Sequence, residues 1–233
     1  MQSSDLKNSV NPARGPLLNL QNFTYIINND VCQQKEVFAI IIVHSHPANR
    51  ERRDVIRRNI PREDLMKIGV RRRTPQDQIS EENVIHRDII QGNFKEHYHN
   101  LTYKHVMGLQ WVNTFCNQAK YIIKMDDDII VDIYRYRDIL KYRYENRDNL
   151  IVGLLVIEGP VIRNTKSKWY VNEKEYAEMK YPNFMSGWAY AMSTDASKKI
   201  VNLSQRASYF WIDDVFVTGI LAEAAGVKRE GLN

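Results

Sequence analysis

The chain has 233 residues, 43% of them hydrophobic and 26% charged, with a formal net charge of +5. This suits one large or two small globular domains and excludes a disordered or fibrous chain. No apolar run approaches the ~20 residues of a membrane-spanning helix, and the mild basic excess favours anionic partners only weakly.

Residues 1–22 read as a loose leader, since Met1 to Gly15 is polar and holds no signal-peptide core; residues 23–233 read as a single domain. The first strong element is Val37–Val43, a continuous β-branched run expected of a buried parallel strand. A turn at His44-Ser-His-Pro47 leads into a helix from about Asn49 to Asn59. Its Arg50, Arg53 and Arg57 share a face, which forms either an anion cradle or a solvated basic surface. Residues 58–83 carry Arg71-Arg72-Arg73, several acids and no apolar run of strand length, just where an alternating pattern wants its second strand. Strand signal resumes weakly near Val84–Ile90, with Asp88-Ile-Ile90 as a short strand. A helix follows from about Leu101 to Phe115, with Asn100 or Thr102 as its cap.

Residues 121–131, Tyr-Ile-Ile-Lys-Met-Asp-Asp-Asp-Ile-Ile-Val, are the most informative stretch. Three adjacent carboxylates repel one another, so Asp126, Asp127 and Asp128 make sense at the rim of a buried sheet if a cation sits on them. Oxygen-only ligands suit a hard divalent ion such as Mg²⁺ or Mn²⁺, which commonly bridges to nucleotide phosphates; the alternative is a solvated acidic turn. Beyond it the pattern predicts a helix over Ile133–Asn146 and a strand over Leu150–Ile157. A loop and strand follow over Tyr181–Met192, then a helix over Thr194–Asn202 and a last helix over Asp214–Ala225. The alternation gives an α/β class with a mostly parallel sheet.

Other features are weaker. Asp213 and Asp214 precede the last helix and suit either capping or a carboxylate base acting on an acceptor hydroxyl. Trp169, Tyr170, Trp188 and Trp211 are candidates for stacking on sugars, and Gly187 allows close backbone approach to a ligand. The pairs His44/His46 and His97/His99 have metal-compatible spacing, but neither has a third ligand nearby in sequence. Cys32 and Cys116 each stand five residues before a strand candidate, which leaves a disulfide and two free thiols equally open. Sequons at Asn22, Asn100 and Asn202 hint at a secretory setting.

Taken together, several segments resemble the β-1,3-galactosyltransferase-like family of inverting glycosyltransferases, glycosyltransferase family 31. They are Glu51–Arg58, Arg87–Phe94, Tyr98–Thr102, Lys104–Cys116, Ala119–Asp128, Lys168–Tyr170, Tyr181–Gly187 and Asp213–Gly219, in the family's order. The resemblance implies a GT-A fold, a Rossmann-like sheet with one nucleotide-sugar site. It implies a UDP-sugar donor, UDP-galactose or UDP-N-acetylglucosamine, whose diphosphate is held by Mn²⁺ or Mg²⁺. On that carry-over Asp128 binds the metal, Asp126 and Asp127 lie on the nucleotide side with Arg53 and Arg57, and Asp214 is the catalytic base. Lys168, Trp169, Gly187, Trp188 and Asp213 fall on the substrate side. The implied activity is transfer of a hexose to a glycan hydroxyl of a glycoprotein or glycolipid in β-1,3 linkage, at the lumenal side of the Golgi membrane, with no nucleic-acid partner. The alternative is a catalytically inactive relative that binds a nucleotide sugar or glycan. Three departures stand out: the second strand reads as deleted, no membrane anchor is visible, and no His that would complete the metal site follows the last helix.

Overall fold

The computed structural model describes residues 17–29, 32, 36–60, 65–72 and 76–232. Among these residues, eight strands form one mixed sheet. In chain order they are β1 (Tyr25–Ile27), β2 (Val37–His44), β3 (Leu65–Arg72), β4 (Ile89–Lys95), β5 (Ala119–Asp126), β6 (Leu150–Val156), β7 (Phe184–Ser193) and β8 (Lys228–Gly231). The spatial order is β1-β4-β3-β2-β5-β7-β6-β8. Strands β4, β3, β2 and β5 are parallel neighbours, whereas β7 runs antiparallel between β5 and β6. This is the Rossmann-like α/β architecture expected of the sequence.

The helices are α1 (Arg50–Asn59), α2 (Gln76–His86), α3 (Leu101–Phe115), α4 (Ile133–Tyr144), α5 (Thr194–Ser204) and the short α6 (Ala222–Ala224), which continues a π-helical segment, Val215–Leu221. They cover both faces of the sheet. Side chains alternate along a strand, so Ile40, Ile42 and Ile122 join one core with α3, α5 and the π-helix. Ile41, Val43, Ile123 and Met125 join the other, with Ile56 of α1, Ile79 of α2 and Leu140 of α4.

The structure corrects the deleted strand. Leu65–Arg72 is β3, parallel to β2 from Ile40↔Leu65 to His44↔Gly69. Its sequence, Leu-Met-Lys-Ile-Gly-Val-Arg-Arg, escapes the search for a continuous apolar run because lysine, glycine and arginines interrupt it. The helix α2 takes up Val84–His86 of the weak strand signal, while the short strand expected at Asp88–Ile90 is the start of β4, which runs on to Lys95. The leader is corrected in part: Leu17 and Leu18 are buried in the core, while residues 1–16 lie outside the described residues. Neither expected cap serves α3. The Asn100 amide donates to the Lys95 carbonyl, and the buried Thr102 hydroxyl donates to the Phe210 carbonyl at 2.7 Å.

Cys32 and Cys116 form a disulfide, with Cα atoms 5.2 Å apart, that ties the segment before β2 to the end of α3. The bond closes a separation of 84 residues. Replacing both cysteines by serine is therefore expected to lower the unfolding free energy by roughly 2–4 kcal/mol in urea denaturation, and an unshifted midpoint would show that the crosslink does not stabilise the fold.

Candidate active site

In a doubly wound sheet, ligands bind beyond the carboxyl ends of the strands where the strand order reverses. Here that point lies between β2 and β5, because the chain builds outward from β2 to β3 and β4 and then returns to β5 on the other side. A cleft of about 680 Å³ opens there. Its walls include Asp126, Asp127, Asp128, Lys168, Trp169, Gly187, Trp188, Asp213 and Asp214, so the structure gathers nine of the expected site residues from four separate segments.

Strand alternation gives the three aspartates three environments. Asp126 lies on the same face as Lys124, two residues earlier, and accepts a hydrogen bond from the Lys124 ammonium at 2.7 Å. Asp127 turns to the α1 side. There its carboxylate accepts from the Ser45 hydroxyl at 2.7 Å and the Asn49 amide at 2.9 Å, with the Arg52 guanidinium at 3.4 Å. Asp128 is exposed and makes no hydrogen bond or ion pair among the described residues. Burial raises the Asp126 pKa above the usual carboxylate range; Lys124 opposes this, and the charges of Asp213 and Asp128 add to it.

The opposite wall is the start of the π-helix. Asp214 caps it by accepting from the Val215 N–H at 2.8 Å, and its other oxygen accepts from the Gly187 N–H at 3.0 Å. Burial first, and the Asp213 charge second, push the Asp214 pKa up to about 6. Asp213 points to α3, where its carboxylate lies 2.7 Å from Nδ1 of the buried His105. The other nitrogen of His105 hydrogen-bonds the Tyr190 hydroxyl. Burial lowers the His105 pKa despite the Asp213 carboxylate, so the imidazole is neutral at neutral pH.

Aromatic side chains line the outer part of the cleft. Trp169 and Trp188 are 49% and 64% exposed, and the Lys168 ammonium sits 4.4 Å from the centre of the Trp169 ring. Trp211 is buried and stacks on His99 with ring centres 4.3 Å apart. Lys168 and Trp169 belong to the long connection between β6 and β7. Its ends are clasped by Val161 N–H to Met179 O and Tyr181 N–H to Gly159 O, and its interior by the Arg163 guanidinium donating to the Val171, Tyr176 and Glu178 carbonyls.

Arg53 and Arg57 lie outside the lining of the cleft. All five N–H donors of Arg53 are occupied: two with Glu82, both at 2.7 Å, and the rest with the Ser45 hydroxyl and the His46 and Pro47 carbonyls. Arg57 pairs with Asp88, Asp54 and Glu82. Neither lines the cleft, because two acids from α2 and the start of β4 draw both guanidinium groups away from it. Arg53 acts on the site through the turn, holding Ser45, which in turn holds Asp127. The basic α1 residue that does line the cleft is Arg52.

Two candidate metal positions result. The exposed Asp128 carboxylate beside Asp126 is a hard oxygen donor set open to the cleft. The ligand atoms of His44, His105 and Asp213 also lie within 4.8 Å of one another, so His44, without His46, has neighbours that α3 and the residue before the π-helix bring from distant sequence. His105, however, already uses both ring nitrogens in hydrogen bonds. Sequence reasoning missed His105 because it stands within the apolar stripe of α3. It missed Lys124 too, although a lysine in an otherwise apolar strand is itself a sign of a buried partner.

A galactosyltransferase family profile matches residues 68–233. The chain belongs to that family. Lactosylceramide 1,3-N-acetyl-beta-D-glucosaminyltransferase of Xenopus tropicalis is 34% identical over 225 residues, covering 88% of this chain and 59% of that protein. Human beta-1,3-galactosyltransferase 5 is 30% identical over 222 residues, covering 91% and 71% respectively. Mouse beta-1,3-galactosyltransferase 2 is 34% identical over 219 residues, covering 88% and 52%. The chain thus spans about three fifths of the length of the Xenopus relative. Among solved structures, a 4-diphosphocytidyl-2C-methyl-D-erythritol synthase from Anaerococcus prevotii matches with a TM-score of 0.46 and 11% identity over 84% of this chain and 86% of that one, a likeness too distant to bear on function.

The two readings of Arg53, nucleotide ligand and buried structural ion, differ in outcome. Arg53→Met is expected to destabilise the fold by roughly 3–5 kcal/mol, because it strips a buried carboxylate of a partner. Thermal unfolding checks this, and a variant as stable as the parent would contradict the buried-pair account.

Proposed function

We propose that the chain is an inverting hexosyltransferase that moves galactose or N-acetylglucosamine from a UDP-sugar to a glycan hydroxyl in β-1,3 linkage. The observation that carries this reading is the pairing of two unlike carboxylates across one cleft. Asp128 is open and exposed; Asp214 is held by two backbone N–H groups and has a pKa near 6. Family membership and the position of the cleft at the strand-order reversal support it.

The roles follow from the environments. A divalent ion such as Mn²⁺ at Asp128 would neutralise charge on the diphosphate. Arg52 and Asp127 form the neighbouring wall, with Asp127 fixed by the β2–α1 turn. Asp214 takes the proton from the acceptor hydroxyl, and a carboxylate with a pKa near 6 is a better base than an ordinary aspartate while still ionised at neutral pH. The acceptor oxygen then attacks the anomeric carbon as the bond to the phosphate oxygen breaks. UDP departs with the electron pair from the opposite face, converting an α-linked donor to a β-linked product. Trp169, Trp188 and Lys168 supply faces and a polar tip suited to the acceptor sugar, with Asp213 and Gly187 beside them. The disulfide supports folding in an oxidising compartment, consistent with the Golgi lumen.

Three outcomes test this reading. Asp128→Ala is expected to abolish the metal-dependent part of UDP binding in calorimetry; an affinity that responds to Mn²⁺ as before would remove Asp128 as the ligand. Asp214→Asn should bind UDP normally yet transfer no sugar. In the unaltered chain, kcat/KM should fall about tenfold per pH unit below about 6, as the base with the raised pKa becomes protonated, and hold steady above it. A profile flat down to pH 4.5 would rule Asp214 out as the base.

A further inference from the structure

Lys124 is 2% exposed, lines the cleft, and has no role in the mechanism above. Its ammonium donates to Oδ1 of Asp126 at 2.7 Å and also to the carbonyl oxygen of Gly187. Gly187 is held at its other end as well, since its N–H donates to Oδ2 of Asp214. A Cβ at Gly187 would lie 3.2 Å from that same oxygen and 3.3 Å from the Asp214 Cβ, so the carboxylate packs directly against this backbone. The carboxylates of Asp126, Asp213 and Asp214 together outweigh the effect of burial and hold the lysine charged.

From this geometry we propose that Lys124 is the positioning residue of glycosyl transfer, joining the donor side of the cleft to the base. The inference rests on the transferase reading given above. One ammonium fixes Asp126, in the acidic triplet, and fixes the Gly187 backbone, which fixes Asp214. The separation between Asp126, on the donor side, and the base is thereby set by two hydrogen bonds from one nitrogen and one from the intervening glycine N–H. Such a device matters because the base must meet the acceptor hydroxyl while that hydroxyl faces the anomeric carbon, and a 1 Å misplacement in a reacting constellation costs about 10²-fold in rate. Strand geometry makes it possible. Lys124 pairs with Tyr190 across the β5–β7 ladder, and the strand β7 that carries Tyr190 also carries Gly187, so a long side chain on β5 reaches the neighbouring strand's backbone at the cleft.

The test compares the unaltered chain with Lys124→Met, which keeps much of the volume, and Lys124→Arg, which keeps the charge but not the point-like ammonium. Mn²⁺-dependent UDP affinity, kcat and KM for both substrates are measured for each. Lys124→Met is expected to bind UDP within about threefold of the parent and to lose about 100-fold in kcat with acceptor KM little changed. Lys124→Arg should restore part of that kcat. A Lys124→Met enzyme with kcat within fivefold of the parent overturns the inference. So does a loss confined to UDP affinity, which would make Lys124 a donor ligand instead. If the methionine variant does not fold, the arginine variant decides: undiminished kcat overturns the proposal, and a loss of tenfold or more with UDP affinity kept supports it. Parent activity alongside an active methionine variant leaves the transferase reading intact, whereas a parent chain that transfers from no UDP-sugar overturns both.

Discussion

Five carboxylates, Asp126, Asp127, Asp128, Asp213 and Asp214, share one end of a single sheet, and their mutual repulsion is the constraint that the rest of the site answers. Two unit charges 4 Å apart at an effective dielectric constant of 20 repel by about 4 kcal/mol, so such a cluster needs countermeasures. Four of the five are met in different ways. Asp127 is tied to a serine, an asparagine and an arginine of the turn and α1. Asp126 meets a buried ammonium. Asp213 lies against a neutral imidazole, and Asp214 accepts two backbone N–H groups. Only Asp128 among them is left open to the cleft without such a partner among the described residues, and this is the ground for proposing the cation there.

The same constraint explains why the flanking fold is so heavily ion-paired. Holding Asp127 requires a stiff β2–α1 turn, and the stiffness comes from a fully buried guanidinium that binds two backbone carbonyls and the serine of that turn. Burying that cation requires Glu82, which α2 supplies. Asp127 is therefore positioned through a chain of contacts, Glu82 to Arg53 to Ser45, of which only Ser45 reaches the cleft.

Much of this was legible in the sequence, and for identifiable reasons. The strand β2 is a continuous apolar run and β5 a largely apolar one, and the aspartate triplet at the end of β5 could be read as a cleft rim. The paired acids before Val215 could be read as a cap and a base together, and the structure supports the capping half directly. What escaped was what depends on pairing between distant segments. The strand β3 lacks a long apolar run and is recognisable only through its parallel ladder with β2. Arg53 and Arg57 look like anion ligands in isolation, because the acids that claim them lie some thirty positions further on, in α2 and at Asp88. His105 and Lys124 sit in apolar patterns and read as minor irregularities until their carboxylate partners are brought to them.

The clasped connection between β6 and β7 has a further consequence. Its two ends meet at Gly159 and Tyr181, and its interior is gathered around one arginine, so it forms a closed handle on the barely altered path of a hairpin. The residues it presents to the cleft, Lys168 and Trp169, stand apart from the strand ends that carry the aspartates. The hydrogen bonds that close the handle at its base separate this wall of the cleft from the strand ends. On the transferase reading proposed above, that wall is the one on which acceptor choice would be altered without disturbing the acidic cluster.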